Sequence, residues 1–147
     1  MLAGQQAIIF GDGKHSRDFT YIDNVVNANL LACKAPANDV AGKVFNIAGG
    51  RRIDLNEVYC LLQALTGYSA PAEYAPARRG DVKHSLADLS RAEKYLGYRP
   101  TVSFEEGLRQ TVEWYRSAAA RRVNRSSADD QCKSVLCRPA GSGDMGR

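Results

Sequence analysis

The stretch Gly11-Asp12-Gly13-Lys14-His15-Ser16-Arg17-Asp18-Phe19-Thr20-Tyr21-Ile22-Asp23-Asn24-Val25-Val26 combines a turn, an apolar run and a helix start in one continuous segment. Just before it, Ala7-Ile8-Ile9-Phe10 has the unbroken apolar character of a short strand, and the paired glycines of Gly11-Asp12-Gly13 mark a tight loop. Phe19-Thr20-Tyr21-Ile22 reads as a second strand across that loop. Beyond it the period changes. Val25, Val26, Ala28, Leu30, Leu31 and Cys33 recur at helical spacing, Asp23 stands at the N-cap, and Pro36 closes the helix after Lys34.

The alternation continues downstream. Lys43-Val44-Phe45-Asn46-Ile47-Ala48 has the look of a buried strand ended by Gly49-Gly50. Asp54 and Glu57 then form a capping box ahead of a helix whose stripe is Leu55, Val58, Leu61, Leu62 and Leu65 and whose stop is Gly67. Residues 70–82 are rich in Pro, Ala and Arg and read as an extended loop or edge strand. Asp88 caps a short helix running to Leu96 and stopping at Gly97, and Ser103 with Glu106 opens a last helix through Arg116. From Ser117 to Arg147 no apolar period is sustained, so this tail is expected to be disordered.

Composition narrows the function classes. The chain has 147 residues, 44% hydrophobic and 24% charged, which is ordinary for one globular domain. Its net charge of +4 is unevenly spread: residues 1–116 hold 14 Lys and Arg against 13 Asp and Glu, whereas residues 117–147 hold 6 against 3. A nearly neutral body offers no basic stripe for a nucleic-acid backbone, so no nucleic-acid partner is expected. No membrane span or secretory leader stands out, and the expected compartment is the cytoplasm. Cys33 and Cys60 lie in helix-like apolar stretches and read as free buried thiols, and the spacing of Cys132 and Cys137, with neither His15 nor His84 close in sequence, does not make a metal site.

Familiar catalytic patterns are missing from the residues themselves. Gly13-Lys14 is followed by His15, which breaks the phosphate-loop pattern, and no glycine-rich fingerprint lies between a strand and a helix to hold a dinucleotide. His84, Ser85 and Asp88 fall within a few residues of each other, but strand-end and capping roles account for them better than a hydrolase triad does. The remaining chemistry lies in Arg17, Arg51, Arg52, Arg78 and Arg79. Each taken singly reads as a solvated surface charge, yet two from different loops have the planar forks needed to clamp a diphosphate.

Taken in order, Gly11 to Val26, Val44-Phe45-Asn46-Ile47-Ala48-Gly49-Gly50, Arg78-Arg79-Gly80-Asp81-Val82-Lys83-His84-Ser85-Leu86-Ala87-Asp88, Leu96-Gly97-Tyr98-Arg99-Pro100, Glu105-Glu106-Gly107-Leu108 and Trp114-Tyr115 resemble the C-terminal part of NAD-dependent epimerases and dehydratases, the extended short-chain dehydrogenases that act on nucleotide sugars. The segment from Gly80 to Asp88 is most similar to UDP-N-acetylglucosamine 4-epimerases. The resemblance implies an α/β fold, the substrate-binding portion of an incomplete Rossmann-type protein over residues 1–116, followed by the tail.

It further implies that Arg17 and Arg78 grip the diphosphate of a UDP-sugar, that Asp81 accepts hydrogen bonds from the ribose, and that the backbone around Ile8 and Phe10 faces the uracil, with Asn46, Arg79 and Ser85 as weaker candidates. Family catalysis uses a Tyr-x-x-x-Lys pair and a bound NAD. Here none of the seven tyrosines is followed four residues later by lysine, so no catalytic residue is assigned, NAD is not expected to bind this chain alone, and no epimerase activity is expected from it alone. The expected partners are a UDP-sugar and either a separate N-terminal cofactor domain or a second copy of the chain. The alternative is a non-catalytic UDP-sugar-binding or interaction module.

Overall fold

In a computed structural model of the chain, the described residues are 1–118. They are an α/β arrangement of short strands and longer helices: β1 (Ile8–Phe10), β2 (Ser16–Arg17), α1 (Ile22–Lys34), α2 (Ala37–Val40), β3 (Ile53–Asp54), α3 (Leu55–Thr66), β4 (Glu73–Ala75), α4 (Ser90–Leu96) and α5, residues 104–118. Residues 1–112 form one compact unit, to which the following description applies.

Two small ladders organise the unit. β1 and β4 run parallel, with Ile8, Ile9 and Phe10 opposite Glu73, Tyr74 and Ala75. β2 and β3 run antiparallel, with Ser16 opposite Asp54 and Arg17 opposite Ile53. The Pro- and Ala-rich stretch read as a loop or edge strand therefore supplies β4.

The helix ends follow the chemistry of their caps. Asp54 Oδ1 accepts the Glu57 amide at 2.8 Å and opens α3, and Gly67 closes it at φ +75°, a left-handed conformation that suits a residue without Cβ. Only the first half of each capping box forms as written. The Glu57 carboxylate turns to Arg51, and the Glu106 carboxylate turns forward to Arg109 and Gln110, while Ser103 Oγ accepts the Glu106 amide at 3.2 Å. The expected cap of α4 is displaced: Leu89 occupies the N-cap without a side-chain bond, and Asp88, one residue before it, accepts the Ser90 amide at 2.9 Å.

Several sequence expectations are corrected. Phe19-Thr20-Tyr21-Ile22 is not a strand. The neighbouring Asp18 carboxylate takes the amides of Gly50 and Ala87, Phe19 packs its ring 5.4 Å from that of Phe104, and α1 begins at Ile22. Asp23 lies in the first turn of α1, and Tyr21 occupies the N-cap without a side-chain bond. Residues 43–48 form no strand, because no ladder partner lies beside them among the described residues; Val44 is 76% exposed instead of buried. Cys33 and Cys60 are exposed, on the outer sides of α1 and α3. The stripe of α3 is only half-buried, and the fully packed residue of that helix is Tyr59. The last helix continues past Arg116 to residue 118, and the remainder of the expected tail, 119–147, lies outside the described residues.

The core gathers Ala28 of α1, Ala92 and Leu96 of α4, and Tyr98, with Leu31, Phe45 and Ile47 packed around them. Small residues at 28 and 92 let the two helices approach closely, and Tyr98 satisfies its buried hydroxyl by donating to the Ala48 carbonyl at 2.8 Å. Burial raises the Tyr98 phenol above its usual range.

Asn24, 1% exposed, ties α1 to the approach to α5. Its Oδ1 accepts the amides of Thr101 at 2.9 Å and Val102 at 3.0 Å, and its Nδ2 donates to the Val102 carbonyl at 2.8 Å. Asn24→Ala leaves those three backbone groups unpartnered inside the fold. A loss of about 2–3 kcal/mol in urea unfolding is expected, and a change below about 0.5 kcal/mol would contradict this account.

On α5, the Arg109 guanidinium, followed by the Gln110 amide, pulls the Glu106 carboxyl down to about 2 from its ordinary 4.5. A depressed carboxylate stabilises the fold above its unfolded pKa and loses that contribution as pH falls through the folded value. Carboxyl NMR should therefore show Glu106 titrating near 2, and Glu106→Gln should remove a component of acid destabilisation between pH 4.5 and 2. Titration near 4.5 would refute the pairing.

Candidate functional site

The site begins at the glycine turn after β1. Gly11 and Gly13 take φ of +85° and +73°. A Cβ on Gly13 would stand 2.0 Å from Asn56 Oδ1, so the missing side chain makes room for Asn56. Asn56 then knits the start of α3 to the turn, its amide donating to the Gly13 carbonyl and its Nδ2 to the Asp12 carbonyl, each at 3.2 Å. Tyr74 of β4 donates its hydroxyl to Asn56 Oδ1 at 2.9 Å. Asn56 thus joins the turn after β1 and the start of α3 to β4.

This joining leaves a concavity of about 250 Å³ between β1 and α3. Ile8, Ile9 and Phe10 form one wall, and Leu55, Val58 and Leu62 form the other, with Arg78 and Asp81 at its polar end. A largely apolar cleft with a few convergent polar groups is the usual form of a small-molecule site. The half-buried stripe of α3 is explained here, because three of its five residues line the cleft.

The polar end is held in place from below. Ser16, 6% exposed, donates its amide to the Lys83 carbonyl at 2.8 Å, accepts the Ser85 amide at 3.1 Å, and shares a 2.9 Å bond between its Oγ and His84 Nδ1. The 83–85 segment is thereby locked against β2. The turn just before it carries Arg78 and Asp81, with the Asp81 amide donating to the Arg78 carbonyl at 3.3 Å.

Arg78 lies over the Phe10 ring, its Cζ 3.9 Å from the centroid. A cation over an aromatic face is held there by attraction to the ring quadrupole. Arg17 donates from Nη2 to Asp81 Oδ1 at 2.6 Å and from Nη1 to the Ser16 carbonyl at 2.9 Å.

Ile8, Phe10, Arg78 and Asp81 therefore line one cavity, and Arg17 meets them through Asp81. Asn46, Arg79 and Ser85 do not line it: Asn46 donates to the Asp88 carbonyl at 3.3 Å, Ser85 completes the clamp on Ser16, and Arg79 is exposed. Asp88 accepts the Ser90 amide just ahead of α4 and His84 is the partner of Ser16, so His84, Ser85 and Asp88 do not form a triad.

Sequence reading missed the side chains of Ser16, His84, Asn56 and the apolar face of α3. Gly11-Asp12-Gly13 carried the signal for Asn56, since two glycines in one turn announce a close approach. Nothing local announced the bond between Ser16 and His84, which spans the chain.

The Gly11-Asp12-Gly13 loop is not built as a dinucleotide cradle. The usual cradle is a glycine-rich loop leading from a strand into a helix N-terminus, where amides and the helix dipole meet the pyrophosphate. The Gly11-Asp12-Gly13 loop instead leads from β1 into β2, and Asn56 fills the space its second glycine opens. No step involving NAD is therefore assigned to these residues. Among the described residues no helix is long and apolar enough to cross a membrane.

Known proteins resemble this arrangement. The family model described as GDP-mannose 4,6 dehydratase matches residues 1–111. A UDP-glucuronate 4-epimerase of Thermodesulfobacterium geofontis is 39% identical over 107 residues, covering 72% of this chain and 32% of its own length. The crystal structure of a UDP-glucose 4-epimerase from Thermotoga maritima with UDP-glucose superposes with a TM-score of 0.75 at 44% identity, covering 81% of this chain and 37% of that one.

A UDP-N-acetylglucosamine 4-epimerase from Methanobrevibacter ruminantium, in complex with UDP-N-acetylmuramic acid, superposes at 0.72 with 34% identity over 80% of this chain and 36% of its own. The chain spans about a third of the length of each of these proteins. With its α/β ladders, its cleft between β1 and α3 and a family match over most of its length, the chain belongs to the NAD-dependent epimerase/dehydratase family.

Proposed function

We propose that this chain is the UDP-sugar-binding part of an NAD-dependent nucleotide-sugar 4-epimerase of the UDP-N-acetylglucosamine or UDP-glucose type, and that it is inactive alone. The observation that carries the reading is the convergence of Ile8, Phe10, Arg78 and Asp81 on one cleft, with Arg17 paired to Asp81 at its polar end. The apolar wall suits a planar base, whose edge is met by main-chain groups beside Ile8 and Phe10. Arg78 offers a planar fork to the diphosphate, and Asp81 offers carboxylate oxygens to ribose hydroxyls.

The chemical step is assigned elsewhere. No tyrosine here stands four residues ahead of a lysine, and the described residues supply no dinucleotide cradle. On this reading the partner is a cofactor domain of the same family, carried on another stretch of polypeptide. Ile22, Val26 and Leu30 support that view. They recur one helical turn apart on α1 with exposures of 59%, 47% and 53%, the pattern of a face meant to be covered. A self-sufficient binding module would be expected to carry polar residues there.

Calorimetry of the full chain with UDP tests the site: UDP should bind, and Arg78→Ala should weaken it by about tenfold or more. Absence of UDP binding, or an Arg78→Ala variant that binds as the wild type does, would overturn the assignment. With NAD and UDP-N-acetylglucosamine the chain alone should yield no epimerised product, and turnover should appear only when a cofactor half is supplied. Turnover by the chain alone would refute the division of labour.

A further inference from the structure

We infer that Asp81 is a positioning residue for Arg17, so that its carboxylate acts on a bound diphosphate through the guanidinium as well as on the ribose. The inference rests on the reading of the cleft as a UDP site.

Arg17 starts from β2 and does not itself line the cleft, whereas Asp81 does. Two bonds fix the guanidinium in between. Nη1 is drawn back to the Ser16 carbonyl at 2.9 Å, and Nη2 is drawn forward to Asp81 Oδ1 at 2.6 Å. The ends of the pair are only partly covered, the side chains being 32% and 38% exposed. An ion pair so open to water contributes little to stability. Its effect lies in orientation, because an unpaired arginine samples many rotamers and must be immobilised when it meets a ligand.

The two ends of the pair are anchored on different segments that are themselves bonded together. β2 is clamped to residues 83–85 through three bonds at Ser16, and the turn holding Asp81 directly precedes that segment. Asp81 therefore stands at a fixed distance from the root of Arg17, and the pair forms before any ligand arrives. Arg78 is oriented differently, by the Phe10 ring, and pairs with no carboxylate among the described residues. At the polar end, the cation lining the cleft thus meets an aromatic face, and the one behind it is oriented by an acid. A carboxylate has two oxygens, so Asp81 can hold Arg17 with Oδ1 and meet a ribose hydroxyl with Oδ2, linking phosphate recognition to ribose recognition.

A double-mutant cycle on the full chain separates this from a ribose-only role. Asp81→Asn keeps an acceptor oxygen for the ribose but drops the charge that holds Arg17. It should weaken UDP by about tenfold while changing uridine, which has no phosphate, by about twofold or less. In an Arg17→Gln background the same Asp81→Asn change should alter UDP affinity by no more than about twofold, since the residue it positions is gone.

Equal losses for UDP and uridine, or an undiminished Asp81→Asn effect without Arg17, would overturn the inference. Asp81→Glu, which keeps the charge and moves it by one methylene, should lie between wild type and Asp81→Asn for UDP; a loss as large as that of Asp81→Asn would also count against it, since it would mean that charge is not what orients Arg17. A wild-type chain that binds neither ligand would instead sink the reading of the cleft itself. A chain that binds UDP with an additive cycle would leave that reading intact and remove only the role of Asp81.

Discussion

The pairing of Arg17 with Asp81 at the polar end of the cleft depends on Ser16. This one buried residue faces β3 on one side, opposite Asp54, and the 83–85 segment on the other, where its amide, carbonyl and hydroxyl are all engaged. A two-residue strand has almost no ladder of its own to hold it, so these bonds across the chain are what make β2 a fixed base. Arg17 projects from that base. The turn carrying Arg78 and Asp81 lies immediately upstream of the segment that Ser16 grips. The distance between the arginine and its acid is therefore set by backbone bonding, and the acid needs only to choose a rotamer.

Helices were more legible in the sequence than strands, for a physical reason. The start of α3 at Asp54, its stop at Gly67 and the stop of α4 at Gly97 are local events, decided within a few residues by a carboxylate meeting an amide or by a glycine entering the left-handed region. Strands are decided by partners far away in the chain. Val44 to Ala48 has the apolar composition of a buried strand, yet no strand pairs with it among the described residues, and Val44 is left exposed. Phe19 to Ile22 failed differently. Asp18 drew the backbone of Gly50 and Ala87 to itself, which left the following residues no edge to pair with and let α1 begin at Ile22.

The candidate site was legible in its members but not in how they are joined. Arg17, Arg78 and Asp81 stand out by residue type and motif, while their arrangement, with Arg17 reaching the cleft only through Asp81, follows from a contact between residues 64 apart. Phe10 was singled out for its backbone, and its ring turned out to carry the Arg78 guanidinium. The stripe of α3 was read as ordinary core, yet Leu55, Val58 and Leu62 make one wall of the cleft. A helix face that lines a cavity and one that packs against a neighbour have the same period, so periodicity alone does not separate them.

The division between finished and unfinished surfaces also follows from the physics. The cleft is complete in its supports: Asn56 satisfies the glycine turn and accepts the Tyr74 hydroxyl, Tyr59 donates its hydroxyl to the Ala70 carbonyl, and both arginines at the polar end are oriented before a ligand is present. The outer face of α1 is different. Its inner side is packed through Ala28, while Ile22, Val26 and Leu30 meet water one turn apart. Burying three such side chains would contribute several kcal/mol, on the order of 1.5–3 kcal/mol each. Interactions that hold the polar groups of the cleft in place are thus satisfied within residues 1–112, whereas Ile22, Val26 and Leu30 stay uncovered there. On the proposed division of labour, the cleft is shaped locally and the exposed face of α1 is covered by the cofactor domain.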